Sequence, residues 1–330
     1  MGPREATQPV TVRQHYVAAG YLAGFTQGGK RDSIFYVHPL DGSPVRIDKP
    51  ENVAFERNYN SIKVEGLRKD HLEGIFRKRF EGPACDLFKT LSDHPGRPFV
   101  TEDELAIAIQ FLALQAARVP RSRAKYEEMV IQNGKDFLHK LATSPEFEQE
   151  VARAAAEIGE DFLSQDDVQK LVSSGELQTV ADKTGLSIGI LRLTVTILEE
   201  ISSMRATLWY ADGLDWFVCS DHPVALFYDM AGTIFEDPSA LEWPKVRLLT
   251  DMIYMPIARN VALVLHRLPN VPTVQRALRE MVSLVNILTM SQARRGVFSP
   301  TPDFVCTLHT GVLGNAKQGI AEIRKLNDPH

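Results

Sequence analysis

Apolar residues recur along this chain at intervals that predict helices interrupted by short β-type runs. Residues 16–25 mix aromatic, aliphatic and glycine side chains and read as a short helix. Two β-type runs follow, S-I-F-Y-V at 33–37 and V-R-I at 45–47, with Asp41-Gly42 between them as a hairpin signal. Val64, Leu67, Leu72, Ile75, Phe76 and Phe80 fall at helical spacing and predict a helix over 64–80, stopped by Gly82-Pro83. Thr101 followed by Glu104 is a capping box. The run from Leu105 to Arg118 is apolar nearly all round, as a helix in the middle of a core must be. Pro120 disfavours helical geometry at Val119 and marks its end.

Residues from about 144 to 185 are more charged and alanine-rich, and predict a peripheral helical subdomain with Pro145 near the start of a helix. A long helix over 188–204 leads back to the core. β-type runs follow at 206–210, 216–219 and 225–228, with Asp212-Gly213 as the first turn, and a strand pair at 252–256 and 260–266. Residues 273–294 predict a third long helix. Helices interrupted by hairpin-joined strands imply an α+β fold, mostly helical, with a small antiparallel sheet packed on buried long helices. Residues 1–12 read as a disordered arm, and 13–330 as a single α+β domain carrying the peripheral subdomain.

Charge and cysteine usage narrow the classes. A net charge of -5 gives no general affinity for nucleic acid or an anionic membrane. Cys85, Cys219 and Cys306 are odd in number and far apart, so a disulfide framework is not expected and a reducing compartment fits. No apolar run approaches the ~20 residues of a membrane helix. The N-terminus lacks a signal-peptide core, and Ala6 stands where a myristoylation signal needs Ser or Thr. The expected setting is cytoplasmic.

Several stretches in order resemble one known group. They are H-Y-V-A-A-G-Y-L-A-G-F from His15, N-V-A-F-E-R-N-Y from Asn52 and V-E-G-L-R-K-D-H-L-E from Val64. Q-A-A-R-V-P from Gln115, S-D-H-P-V from Ser220 and V-N-I-L-T-M-S-Q-A-R-R-G-V-F-S from Val285 continue the set. Over roughly residues 15–299 the chain resembles the family catalogued as domain of unknown function 4238. It departs from that pattern at Ala18, where proline is frequent, at Val119, where threonine often precedes the proline, and at His222, where asparagine is common. The resemblance implies one continuous domain and brings no activity with it.

Polar residues inside apolar elements are the candidate chemistry. Glu65 falls within the apolar face of the helix predicted over 64–80, and Glu73 at its edge; a buried carboxylate is costly unless paired or bound to a cation. Gln115 and Arg118 share a face of the most buried helix, with Arg121 just beyond Pro120, and a guanidinium there either reaches solvent or binds a carboxylate or phosphate bidentately. Asp221 ends the apolar run W-F-V-C-S, and His15 opens the first motif. Gathered together, His15, Glu73, Arg118 and Asp221 would be catalytic, Gln115 and Arg121 would bind substrate, and Glu65, Glu73 and Asp221 would hold Mg²⁺ or Mn²⁺ (or Zn²⁺). Such a metal would activate water for attack on a phosphodiester, the reading of a metal-dependent hydrolase or nuclease.

Each residue also has a structural reading. Glu65 would meet backbone amides at a helix start, Arg118 would pair with Glu65 or Glu73, and S-D-x-P would form a turn. The chain would then be a non-catalytic binding or effector module with a structural ion-pair network. A metal-free enzyme with His15 as general base is a third course. The segment V-A-D-K-T-G-L-S-I-G-I-L from Val180 has helix-turn-helix spacing, but its second helix is too apolar to read DNA. The Lys/Arg-rich stretch 57–97 would touch nucleic acid or form a solvated face, the latter favoured by an acidic chain. Gly28-Gly29-Lys30 lacks the rest of a phosphate loop and reads as a turn.

Overall fold

A computed structural model describes residues 10–144, 149, 153, 164–174, 180–213, 215–230, 233–235 and 252–327. Its centre is α4 (Glu102–Arg118), which is buried on all sides from Phe111 to Arg118, the stretch where its sequence is apolar nearly all round. The Thr101 hydroxyl accepts from the Glu104 amide at 3.1 Å, and the Glu104 carboxylate reaches back to the Val100 amide at 2.8 Å. This is the capping box displaced by one residue at its second bond. Val119 is extended and closes the helix ahead of α5 (Pro120–Thr143). Pro120 thus ends one helix and opens the next, in whose first turn a missing N–H is harmless.

Against this helix stand α7 (Lys183–Ile201), which follows α6 (Gln165–Ser174), and α3 (Gly82–Asp93). The largest sheet is six-stranded and mixed. It contains β5 (Arg205–Ala211), β7 (Ala225–Met230), β8 (Thr233–Phe235), β9 (Met252–Ala258), β10 (Val261–His266) and β11 (Val274–Ala277), in the order β11-β5-β10-β9-β7-β8. Every residue of β10 is buried. Val261, Leu263 and Leu265 face the main core, while Ala262 and Val264 face a second cluster with Val282, Val285 and Leu288 of α8 (Arg279–Gln292). The two-residue alternation of a strand therefore feeds two cores, one on each side of the sheet.

A four-stranded sheet, β3-β2-β12-β6, brings the chain's beginning to its end. Here β2 (Phe35–Pro39) pairs with β3 (Arg46–Asp48) across a turn at Asp41-Gly42, where Gly42 has a φ of +93°. On its other edge β2 meets β12 (Gly296–Ser299), which in turn pairs with β6 (Cys219–Ser220). Two small pairs complete the fold: β1 (Arg13–His15) with β4 (Phe55–Arg57), and β13 (Val305–Thr307) with β14 (Leu313–Asn315) beside α9 (Ala316–Asn327). A short helix, α1 (Ala19–Leu22), lies within residues 16–25.

The α+β class matches the sequence pattern, and four details differ. The helix expected over 64–80 begins only at α2 (His71–Ile75). Gly66 at φ +75° and the Ile62 amide bonding back to the Lys69 carbonyl make residues 62–70 a closed turn, leaving Val64 and Leu67 exposed. Gly82-Pro83 does not stop that helix: the chain runs through a π turn (Phe76–Glu81) directly into α3, with Pro83 in its first turn. Residues 274–277 are strand, not helix, because Val274 and its neighbours extend the sheet in parallel with β5 before α8 starts at Arg279. The main sheet is accordingly larger than the small antiparallel one expected.

Residues 1–9 of the expected arm, and most of the expected subdomain at 144–185, lie outside the described residues. Thr11 and Val12 are already tied down: the Thr11 amide donates to Asp70 at 2.8 Å and the Val12 carbonyl accepts from Asn58. Among the described residues, no helix is long and apolar enough to cross a membrane.

Candidate functional site: an interior ion network beside an open cleft

At the C-terminal end of α4, Arg118 is fully buried. One of its nitrogens lies 2.5 Å from the Glu81 carboxylate, and another donates to Gln115 Oε1 at 3.2 Å. The amide of Gln115 donates to the Tyr16 carbonyl at 2.8 Å, and the Tyr59 hydroxyl to the Arg118 carbonyl at 2.8 Å. Glu73, also buried, accepts from Asn60 Nδ2 at 3.1 Å.

The π turn is what makes Glu73 and Glu81 neighbours. Eight residues along an α-helix leave two side chains about 80° apart, and a turn that absorbs one extra residue returns them to nearly one face. Burial pushes the Glu73 carboxyl above its ordinary value, with Glu81 adding to the rise and Asn60 and Arg118 opposing it. His15, half-buried nearby, is pushed down by burial, against the pull of Glu81 and with the help of Arg118. His15, Glu73, Gln115 and Arg118 therefore do belong to one cluster.

The other expected members lie elsewhere. Asp221, at the end of β6, turns Oδ1 to the backbone amides of Arg294, Arg295 and Gly296 at 3.0, 3.2 and 3.3 Å. It staples the S-D-H-P turn to the loop between α8 and β12, while the local turn bond comes from Ser220, whose hydroxyl accepts from the His222 amide at 3.1 Å. Burial raises its carboxyl while those three amides lower it. Arg121 donates to Gln292 Oε1 at 2.8 Å and so joins α8 instead of Gln115. Burial, helped by the Arg121 charge, pushes the neighbouring His222 imidazole down to about 3. Neither ring nitrogen of His222 makes a well-formed hydrogen bond, although the backbone at His222 and Val224 lies close enough to oppose part of that shift. Glu65 sits exposed on the 62–70 turn.

The proposed metal ligands thus occupy three separate places. They do not form a donor set for Mg²⁺ or Mn²⁺, and among the described residues no three His, Cys, Asp or Glu side chains do. The three thiols are poor nucleophile candidates as well: burial pushes Cys85 and Cys219 up to about 12 and Cys306 up to about 11.

The outer side of Glu81 faces a cleft of about 620 Å³. One wall is the turn Gly28–Arg31, a second is the π turn and α3 with Arg77, Glu81, Asp86 and Lys89, and a third is Ala258-Arg259 at the end of β9. Several of these charges are already used. Lys89 pairs with Asp93, Glu81 with Arg118, and Arg259 donates to the carbonyls of Thr26 (3.0 Å) and Gln27 beside the Trp216 ring. Lys30, Arg31 and Arg77 are exposed, and among the described residues none forms a salt bridge. The cleft size falls in the range of small-molecule sites.

Sequence reasoning missed Glu81, Asn60 and the cleft cations. Glu81 stands immediately before Gly82-Pro83, and reading that pair as a stop hid it. The only available signal was a second carboxylate eight residues after Glu73. Lys30, Arg31 and Arg77 meet only through tertiary structure, from segments that each look like ordinary surface.

A family model described as "Protein of unknown function (DUF4238)" matches residues 13–303. No curated protein and no solved structure matches the chain.

Proposed function

Because the chain belongs to the DUF4238 family, whose description carries no activity, we propose a function from geometry: a small-molecule-binding module, with the cleft beside Glu81 as its site and the charged interior as structural support. The observation that carries the reading is the contrast between the two. Inside, Arg118 is held by Glu81, Gln115 and the Tyr59 hydroxyl, and beside it Glu73 accepts from Asn60, with Arg118 Nε and Asn60 Oδ1 the atoms of this group left without a hydrogen-bond partner among the described residues. Outside, an open cleft of ligand size carries Lys30, Arg31 and Arg77, which form no salt bridge among the described residues.

A phosphodiesterase would need carboxylates gathered on a metal, and Glu65, Glu73 and Asp221 stand apart, so the geometry lends that reading less support. The three free cysteines favour a reducing, cytoplasmic setting. The S-D-H-P aspartate and the arginine after Pro120 act in this reading as fasteners between elements.

Thermal unfolding of the full chain against neutral sugars, amines, carboxylates and phosphates tests the proposal. A ligand present at ~100 times its Kd stabilises by about 2.7 kcal/mol, a readable rise in Tm. Asp86→Trp, placed on an exposed cleft position, should abolish the rise without unfolding the protein. A panel with no stabilising member, or stabilisation that Asp86→Trp leaves intact, would count against the cleft.

A further inference from the structure

Resting on the reading of the cleft as a ligand site, we propose that its ligand carries a phosphate group, gripped by Arg31 and Arg77 with Lys30 alongside. Although the chain is acidic overall at -5, five cations line the cleft against three carboxylates. Lys89, Arg259 and Glu81 are committed to Asp93, to backbone carbonyls and to Arg118. What remains in the lining is two guanidiniums and an ammonium against one carboxylate, Asp86. Like charges brought to one concavity repel unless an anion lies between them, and low-dielectric walls focus their field on the space they share.

The type of cation favours phosphate. A guanidinium presents parallel N–H donors that match two oxygens of one phosphate, and two such forks from different walls saturate a dianion. Arg31 comes from the turn after α1, with a terminal nitrogen lying over Gly20, 3.4 Å from where a Cβ there would stand. Arg77 comes from the π turn, one turn ahead of Glu81. Backbone cradling is not the device: the amides of Gly29 and Lys30 already donate to the Thr26 carbonyl and hydroxyl.

The volume exceeds a bare phosphate, and Phe88, Ile257 and Ala258 also line the cleft. The remainder of the ligand is therefore apolar or aromatic, as in a phosphomonoester of a small molecule.

Calorimetric titration at low ionic strength with phenyl phosphate, inorganic phosphate and citrate tests the assignment. Phenyl phosphate should bind most tightly; equal binding of inorganic phosphate keeps the phosphate group and assigns free phosphate as the source. Arg31→Gln and Arg77→Gln, both at exposed positions, should each weaken binding at least tenfold. Lys78→Gln, on the same π turn but outside the cleft lining, should change it less than twofold. No binding of either phosphate, citrate binding as tightly as they do, or equal loss in Lys78→Gln would overturn the assignment. If an uncharged member of the thermal panel instead binds wild type and not Asp86→Trp, the cleft stands and only the phosphate assignment falls.

Discussion

Lowering the pH should unfold this protein through two buried histidines, and the size of the effect follows from their surroundings. His38 is buried, with its Nε2 2.9 Å from Ser299 Oγ and its ring edge-on to Phe304; burial holds its imidazole down to about 4, with Asp303 opposing weakly. His222 is buried beside Arg121 and held down to about 3. An unfolded histidine titrates near 6.5. Both folded values are depressed, so their stabilising contribution is complete above 6.5 and is lost as pH falls from there toward 4 and 3.

Linkage gives a loss of about 0.8 kcal/mol per histidine at pH 6 and about 2 kcal/mol per histidine at pH 5. Glu73 runs the other way: its raised carboxyl gains stability as pH falls through its folded value, which offsets part of the total. Comparison with His38→Gln and His222→Asn removes that background. Urea unfolding at pH 7.5, 6.0 and 5.0 should show wild type losing about 2 kcal/mol more than each variant between 7.5 and 5.0. Parallel pH dependence in all three proteins would refute the reasoning, since it would mean that neither imidazole is held neutral by burial.

Two further perturbations probe how the site is supported. Asp221→Ala removes the acceptor of three backbone amides and should cost about 2–4 kcal/mol in chemical denaturation, with cleft ligand affinity unchanged in the protein that remains folded. Thr101→Ala removes the cap of α4 and should cost about 1 kcal/mol by the same assay, confirming that the helix start is fixed locally.

The parts of the fold legible in the sequence are those fixed by local chemistry. An apolar circumference from Leu105 onward admits only a buried helix, and Asp41-Gly42 between β-type runs admits a hairpin. Local pattern failed where tertiary partners decided. Val274–Ala277 extends the sheet because β5 offers an open edge, and Val64 and Leu67 sit at helical spacing on a turn that Gly66 closes. The same holds at the site. That Arg118 needs a carboxylate followed from its place on a buried face, but its partner depended on a π turn that periodicity cannot reveal. In the S-D-H-P turn the local bond comes from Ser220, whose hydroxyl accepts from the His222 amide, while the partners of Asp221 lie more than seventy positions on and local pattern could not name them. The cleft could not be read at all, because its cations come from segments 46 positions apart at Arg31 and Arg77.

The division between a structural interior and a binding cleft is tested most directly by a double-mutant cycle at Glu81 and Arg118. Unfolding free energies are measured for Glu81→Leu, Arg118→Met and the two together. A structural pair predicts that Glu81→Leu loses about 3–5 kcal/mol, because the fully buried Arg118 is left without its carboxylate, that Arg118→Met loses less, because Glu81 keeps the open cleft beside it, and that the double variant loses less than the sum of the two. Charges held in place for chemistry are instead maintained at the expense of stability. Single variants as stable as wild type or more so, with additive effects in the double, would contradict the account.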